Sequence, residues 1–271
     1  MTVALYAGSD RSSETVKGRL TRHSFSFGPH YDPANLGFGP LVCHNDDVLD
    51  PAAAEPAGYA EHPHAELEIV TWVLEGALVH TDSTGASHVV EAGRAQVLSA
   101  GSGIRHSEVA DPASGRCRFV QAWLAPSASG TTPSYVVGQA PSSGADGLVD
   151  VVGGSGLPLG TDGARLLVAR LGRGQSVALP DDPAQHVFAA TGAVDLDGLA
   201  LRSGDAVRLT DEPGRTVRAE EPTDLLVWSF SRQPGPSALT RRRSPRLPGG
   251  RLARGLGGLL GPRLAGPLLG V

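Results

Sequence analysis

Four side chains that could bind a metal ion occur as two pairs in the first half of the chain. His62 and His64 form one pair, His106 and Glu108 form the other, and each pair is spaced i, i+2. In a β-strand, residues i and i+2 point to the same face, so each pair could present two ligands side by side. If the two strands face each other across a barrel, all four groups converge on one point. Three imidazoles and a carboxylate suit a divalent transition metal and leave room for water, substrate or dioxygen.

The sequence around these pairs predicts short strands joined by turns. Apolar or alternating runs in residues 66–110 are separated by turn signals at Glu75-Gly76 and 82–85, and a glycine-rich loop at 100–103 precedes His106. Strands of this length and spacing are typical of an antiparallel sandwich or barrel. Farther upstream, alternation over residues 23–27 predicts another strand.

The second half of the chain repeats this order of strands and glycine turns, but His186 is its only histidine. We therefore expect an all-β protein with two antiparallel sandwich or barrel domains. The predicted boundaries are 1–130 for an N-terminal metal-binding unit, 131–160 for a linker or crossing segment, 161–232 for a second unit that lacks metal ligands, and 233–271 for a tail.

Composition and charge describe a folded body with a basic tail. The chain has 271 residues, of which 40% are hydrophobic and 19% charged, as in ordinary globular proteins. Residues 233–271 contain seven arginines, no acidic residue and many Pro and Gly, which favours disorder, with a basic interaction tail as the alternative. The first 232 residues carry 16 basic and 28 acidic side chains, which argues against a body that binds nucleic acid.

The two cysteines, Cys43 and Cys117, are expected to be reduced residues of the core. The N-terminus shows no basic region followed by an apolar one, and no apolar run is long enough to cross a membrane. We therefore expect a cytoplasmic protein. Its oligomeric state is not encoded in any motif, and a monomer is the expectation.

Four longer motifs resemble the pirin family. They are RHSFSF (22–27), YDPANLGFG (31–39), HPHAELEIVTWVLEGALVHTDSTG (62–85) and SAGSGIRHSE (99–108). The resemblance implies a bicupin, that is, two cupin barrels packed face to face, with one metal in the N-terminal barrel. It also implies that three histidines and one glutamate bind the metal, which in this sequence are His62, His64, His106 and Glu108.

Other polar residues near the motifs have simpler interpretations. Most cupins use a glutamate of the first motif as fourth ligand, and Glu68 is the candidate for that role, but the pirin pattern favours Glu108. Glu66 and Glu68 then lie behind the site or on the surface. Trp72 and Trp123 are expected in the core. The remaining histidines of the first half are expected to be structural or exposed, with His30 possible at a pocket rim: His23, His30, His44, His80 and His88.

The resemblance implies two kinds of function. The first is a quercetin 2,3-dioxygenase, which opens a flavonol ring with O2 and releases carbon monoxide, with Glu108 as metal ligand and general base. The expected metal is Fe(II), with Mn, Co, Ni or Cu as alternatives. The second is an iron-dependent redox sensor that binds a transcription factor or a metabolic enzyme without turnover. A third possibility is a cupin whose metal site is vestigial, but the complete set of four potential ligands argues against it.

Overall fold

The computed structural model describes residues 1–139 and 147–232, and this part of the chain is almost entirely β-structure. It contains two short 3-10 helices, Gly8–Asp10 and Pro112–Ser114, and no α-helix. Within the described ranges, no helix is long and apolar enough to span a bilayer. The all-β prediction is confirmed. The tail predicted for 233–271 lies outside the described residues.

Twelve strands precede residue 140. In chain order they are β1 (Thr2–Tyr6), β2 (Ser12–Val16), β3 (Arg19–His23), β4 (Leu41–Leu49), β5 (Gly58–His64), β6 (Glu68–Glu75), β7 (Ala77–Asp82), β8 (Ser87–Glu91), β9 (Arg94–Ser99), β10 (Ile104–Ala110), β11 (Cys117–Leu124) and β12 (Ser134–Gln139). 

Nine strands lie in the described residues 147–232. They are β13 (Val149–Val152), β14 (Ala164–Leu171), β15 (Ser176–Ala178), β16 (Ala184–Ala189), β17 (Ala193–Leu196), β18 (Leu199–Arg202), β19 (Ala206–Thr210), β20 (Thr216–Ala219) and β21 (Thr223–Phe230). 

Each half of the chain forms a larger and a smaller sheet. In the first half, a seven-stranded sheet has the order β12-β9-β6-β11-β4-β3-β2, and a four-stranded sheet has the order β5-β10-β7-β8. In the second half, a six-stranded sheet has the order β1-β19-β16-β21-β14-β13, and a four-stranded sheet has the order β15-β20-β17-β18. All strand pairs are antiparallel, as expected for two cupin barrels.

The first strand of the chain belongs to the larger sheet of the second half. β1 belongs by sequence to the first half, but it pairs with β19 of the second, with Val3 opposite Leu209. Two strands also lie in the predicted linker: β12 pairs with β9 of the first half, and β13 pairs with β14 of the second. The segment predicted as a linker, 131–160, therefore contains one strand of the larger sheet of each half.

A shared apolar core joins the two larger sheets. It contains Trp72 and Phe25 from the first half and Phe188 and Trp228 from the second, each at most 4% exposed. Truncating a core aromatic to alanine costs about 3–5 kcal/mol in typical proteins, so this contact holds the two barrels together. The interior of the second barrel is a separate cluster of aliphatic side chains.

Candidate metal centre

The four predicted ligands lie on two neighbouring strands of the smaller sheet in the first barrel. β5 carries His62 and His64, β10 carries His106 and Glu108, and His106 pairs directly with His62. The expectation that these strands face each other across the barrel is therefore wrong: they are hydrogen-bonded neighbours. Same-face side chains of adjacent strands lie side by side, which brings His62, His64 and His106 together. Glu108 lies close to His106 but is not part of the cluster with His62 and His64.

Three imidazoles come together at this point. The ring centres of His62, His64 and His106 are 4.5–5.0 Å apart, and one nitrogen of each lies within 4.8 Å of the others. His62 Nδ1 donates to the carbonyl oxygen of Ala60 at 2.7 Å, which leaves Nε2 as its free ligand atom. His64 Nε2 and both nitrogens of His106 are buried and have no hydrogen-bond partner among the described residues.

The imidazoles of His64 and His106 are neutral near pH 7. Burial, together with the neighbouring histidines, lowers the pKa of His64 to about 3. Burial and His62 likewise lower the pKa of His106 to about 3. A neutral imidazole has a lone pair for a metal, and a metal would satisfy the buried nitrogens that the protein leaves unpaired. The donor set therefore fits a divalent transition metal.

Glu108 is buried and is held by two amides. Its side chain is 1% exposed, and Gln121 Nε2 donates to Oε2 at 2.8 Å while Gln96 Nε2 donates to Oε1. Thr71 Oγ1 accepts a hydrogen bond from each of the same two amides. Tyr135 donates to Gln96 Oε1, which fixes that amide in turn. The carboxylate is therefore held in one orientation by a buried network.

His80 lies beside the site, contrary to its interpretation as a structural or exposed residue without relevant partners. A ring nitrogen of His80 lies within 4.8 Å of one of His106 and of a Glu108 oxygen. Its Nε2 is 3.0 Å from Asp82 Oδ2, and both side chains are fully buried. Because the carboxylate accepts the Nε2 proton, Nδ1 is left as an acceptor, and it has no partner in the described part of the chain.

Glu68, Trp123 and the two cysteines are buried. Glu68 is 2% exposed and outside both histidine clusters; it accepts hydrogen bonds from Ser99 Oγ and from the backbone N–H of Gly160. Trp123 is buried as expected, but it also borders the site, 5.0 Å from His64 between ring centres, and its indole N–H donates to Gln121. Both cysteines are buried and free.

A cavity of about 160 Å³ lies beside His62. Gln121, Trp123, Tyr59 and His23 line it, and His30 lies at it as expected. Phe27 forms another part of the wall and stacks on His23, with 4.8 Å between ring centres. Of the three clustered histidines, His62 lines this cavity.

The residues that the sequence did not reveal come from other strands. Gln96 lies on β9 and Gln121 on β11, and each interrupts an otherwise apolar run with a polar side chain that the structure buries. A buried polar residue requires a partner, so these interruptions were the available signal. The identity of that partner depends on strand pairing and could not be inferred from the neighbouring sequence.

Sequence profiles of two families match this chain. The profile of the pirin family matches residues 8–124, and that of the quercetinase C-terminal cupin domain matches residues 161–228. The two matches follow the two barrels.

Individual proteins are similar over most of the chain. A Mycobacterium tuberculosis protein named "Putative quercetin 2,3-dioxygenase" is 43% identical over 244 residues, which cover 88% of this chain and 98% of that protein. A quercetin 2,3-dioxygenase of Escherichia coli is 32% identical over 220 residues, covering 77% and 90%. A crystal structure of an Escherichia coli pirin in complex with nickel(II) superposes with a TM-score of 0.75 at 28% identity, covering 84% of this chain and 99% of that one.

Proposed function

The chain belongs to the pirin family, and from that premise we propose that it is a metal-dependent dioxygenase acting on flavonols such as quercetin. The observation that carries the proposal is the cluster of three imidazoles with unpaired buried nitrogens, next to a carboxylate oriented by two amides. His62, His64, His106 and Glu108 are the proposed ligands. Fe(II) is the proposed metal, with Mn, Co, Ni or Cu as alternatives.

When bound, the metal would supply a Lewis acid and a template for substrate and O2. The protein residues have separate tasks in this proposal. The imidazoles of His62, His64 and His106 hold the ion. Glu108 takes the proton of the flavonol 3-hydroxyl group onto a carboxylate oxygen, while Gln96 and Gln121 hold that carboxylate in place. Phe27 and Trp123 line the approach and exclude water from it.

The test is aerobic turnover of quercetin by metal-reconstituted protein, with carbon monoxide measured in the headspace. Release of CO by the wild type, abolished in His62→Ala, is the expected result. His88→Ala serves as the control, because His88 is an exposed histidine in the same barrel and outside the cluster. No CO from protein that holds one metal ion per chain, with each of the five metals in turn, would refute the proposal.

A second candidate function is an iron-dependent redox sensor that binds a protein partner. The observation that favours it is the size of the cavity: about 160 Å³ is small beside the roughly 300–1,000 Å³ of pockets for drug-sized ligands. The acidic composition of residues 1–232 also suits a protein partner better than DNA. Tight metal binding without turnover of any flavonol would support this candidate over the first.

A further inference from the structure

The cavity beside His62 is the size of one aromatic ring. It encloses about 160 Å³, and an apolar protein cavity of roughly 150 Å³ is large enough to bind benzene. A flavonol has three rings, so most of it would extend beyond the walls. The space that adjoins the histidine cluster therefore matches a smaller molecule, or one ring of a larger one.

The walls near the cluster favour a planar ring. Phe27 and Trp123 meet edge to face, with ring centres 5.9 Å apart and an interplanar angle of 74°. His23 stacks on Phe27, with ring centres 4.8 Å apart and an interplanar angle of 12°. Aromatic faces and edges held at right angles offer stacking and edge contacts to an inserted ring.

Arg19 lines the same cavity and has an unused donor. Its side chain is 10% exposed, and its NH2 group forms an ion pair with Glu14 at 2.8 Å. Its Nε is buried and has no hydrogen-bond partner in residues 1–139 and 147–232. A buried guanidinium N–H without an acceptor is unfavourable, and an anionic oxygen is its strongest partner.

Tyr59 connects this arginine to the histidine cluster. The guanidinium carbon of Arg19 lies 4.0 Å from the Tyr59 ring centre, and that ring lies 6.1 Å from the ring of His62. The Tyr59 hydroxyl donates to Asp47 at 2.7 Å, so its proton is already engaged. Arg19 is thus the one arginine or lysine that lines the cavity beside His62.

We propose that the cavity binds a small planar acid, a single ring whose carboxylate or phenolate oxygen accepts a hydrogen bond from Arg19 while the ring lies against Phe27 and Trp123. This inference rests on the proposed function and narrows its substrate class from flavonols in general to single-ring acidic phenols and enols. A flavonol would enter with only one of its rings.

The first experiment compares two ligands of equal size and different charge. Salicylate and its neutral analogue salicylamide are titrated into metal-loaded protein under argon, so that binding is measured without turnover. We expect salicylate to bind roughly tenfold tighter or more, because hydrogen bonds to charged groups are the stronger ones. We also expect 3-hydroxy-2-naphthoate, which adds a ring, to bind more weakly than salicylate. Equal affinities for salicylate and salicylamide would overturn the proposed anion contact, and equal or tighter binding of the naphthoate would overturn the size limit.

Variants then assign the effect to Arg19. Arg19→Gln should reduce salicylate affinity about tenfold and leave salicylamide unchanged, and Arg19→Lys should restore part of the loss. Glu14→Gln should increase salicylate affinity, because it releases the arginine from its ion pair. Arg105→Gln is the matched control, since Arg105 is an exposed arginine of β10 paired with Glu61. If Arg19→Gln and Arg105→Gln have the same effect on salicylate, the assignment is wrong.

Failure of this inference and failure of the proposed function give different results. Quercetin cleavage with CO release, together with no preference for salicylate, would retain the dioxygenase and remove the small-acid site. A charge preference that depends on Arg19, without CO from any flavonol, would retain the small-acid site and remove the flavonol reaction.

Discussion

At the scale of single residues, the candidate centre combines two kinds of environment. His64 and His106 have buried nitrogens without partners among the described residues, whereas both oxygens of Glu108 already accept hydrogen bonds from Gln121 and Gln96. Unpaired donors and acceptors in a protein interior are unfavourable, so the histidines are the groups that gain most from a bound ion. The glutamate is instead positioned in advance by the protein.

Glu108→Gln tests the role proposed for the carboxylate. The substitution removes the base, so we expect loss of most quercetin turnover. It also places an amide group opposite two amide donors, so we expect a destabilisation of about 1–3 kcal/mol. Turnover is measured by CO release and stability by urea unfolding. Full flavonol cleavage by Glu108→Gln would show that the base has been assigned to the wrong residue.

His80→Ala tests whether the Asp82–His80 pair supports the metal centre. A ring nitrogen of His80 lies within 4.8 Å of His106 and Glu108, and loss of a group that surrounds metal ligands typically weakens metal binding about 10–100-fold. We expect a loss of this size in a competition titration with a chelator. His88→Ala is the control, because His88 is the direct partner of His80 across the β7–β8 ladder and also stacks on Tyr135, but it is exposed. Equal metal affinity in the two variants would exclude a supporting role for His80.

At the scale of elements, the loop before β10 sets where the second ligand pair begins. Gly101 has φ = +47°, and its carbonyl accepts the N–H of Glu66. A Cβ at Gly101 would lie 2.2 Å from the carbonyl oxygen of Thr131, which itself accepts the N–H of Ser102. Glycine is therefore required there by both its backbone conformation and the close approach of another segment.

Gly101→Ala and Gly103→Ala separate these two requirements. Gly103 also has a positive φ, of 142°, but a Cβ there would meet nothing within 4 Å. We expect Gly101→Ala to be the more destabilising by about 1–3 kcal/mol, because it adds a steric clash to the backbone strain. Urea unfolding of both variants measures the difference. Equal losses would mean that the Thr131 segment moves away without cost.

Strand β3 shows where a local pattern misleads. The alternation over residues 23–27 predicts a strand, but β3 ends at His23. Phe25 then packs in the core shared by the two barrels, while Phe27 contacts Trp123 at the cavity. Both rings are used for packing, in two different places, and this is decided by the second barrel and by β11, which are distant in sequence.

At the scale of the whole molecule, two imidazoles meet between the barrels. His44 of β4 and His186 of β16 are fully buried, with ring centres 4.7 Å apart. Burial lowers the pKa of His44 to about 3, and burial together with His44, Arg208 and Arg11 lowers that of His186 well below its usual value. Both rings are therefore neutral in the folded protein at pH 7.

Because His44 and His186 are neutral in the folded protein, we expect the free energy of unfolding to decrease in acid. Below about pH 6.5 the unfolded histidines bind protons that the folded ones do not, so stability is complete above that pH and falls as the pH decreases toward the lowered pKa. Each such histidine contributes a slope of about 1.4 kcal/mol per pH unit. We expect His186→Leu to flatten the dependence, measured by urea unfolding at pH 7.5 and 5.5. His88→Leu, at an exposed site, should leave it unchanged, and identical slopes in wild type and His186→Leu would contradict the account.

The sequence by itself determined the β-class, the bicupin architecture, the pirin family and the two ligand pairs as candidates. Each of these rests on local information: ligand residues spaced i, i+2 within a strand, turn residues between strands, and motifs that are continuous in the sequence. The spacing of His62 and His64 brings two imidazoles to one face in any antiparallel arrangement, so it needed no knowledge of the partner strand.

Only the tertiary structure decided that β5 and β10 are neighbours, that β1 pairs with the second barrel, and that Gln96, Gln121 and His80 surround Glu108. These features depend on which strands pair and in which register. A strand carries little local information about its partner, because an antiparallel ladder uses backbone groups that every residue has. The pairing is instead set by how all the buried faces pack together.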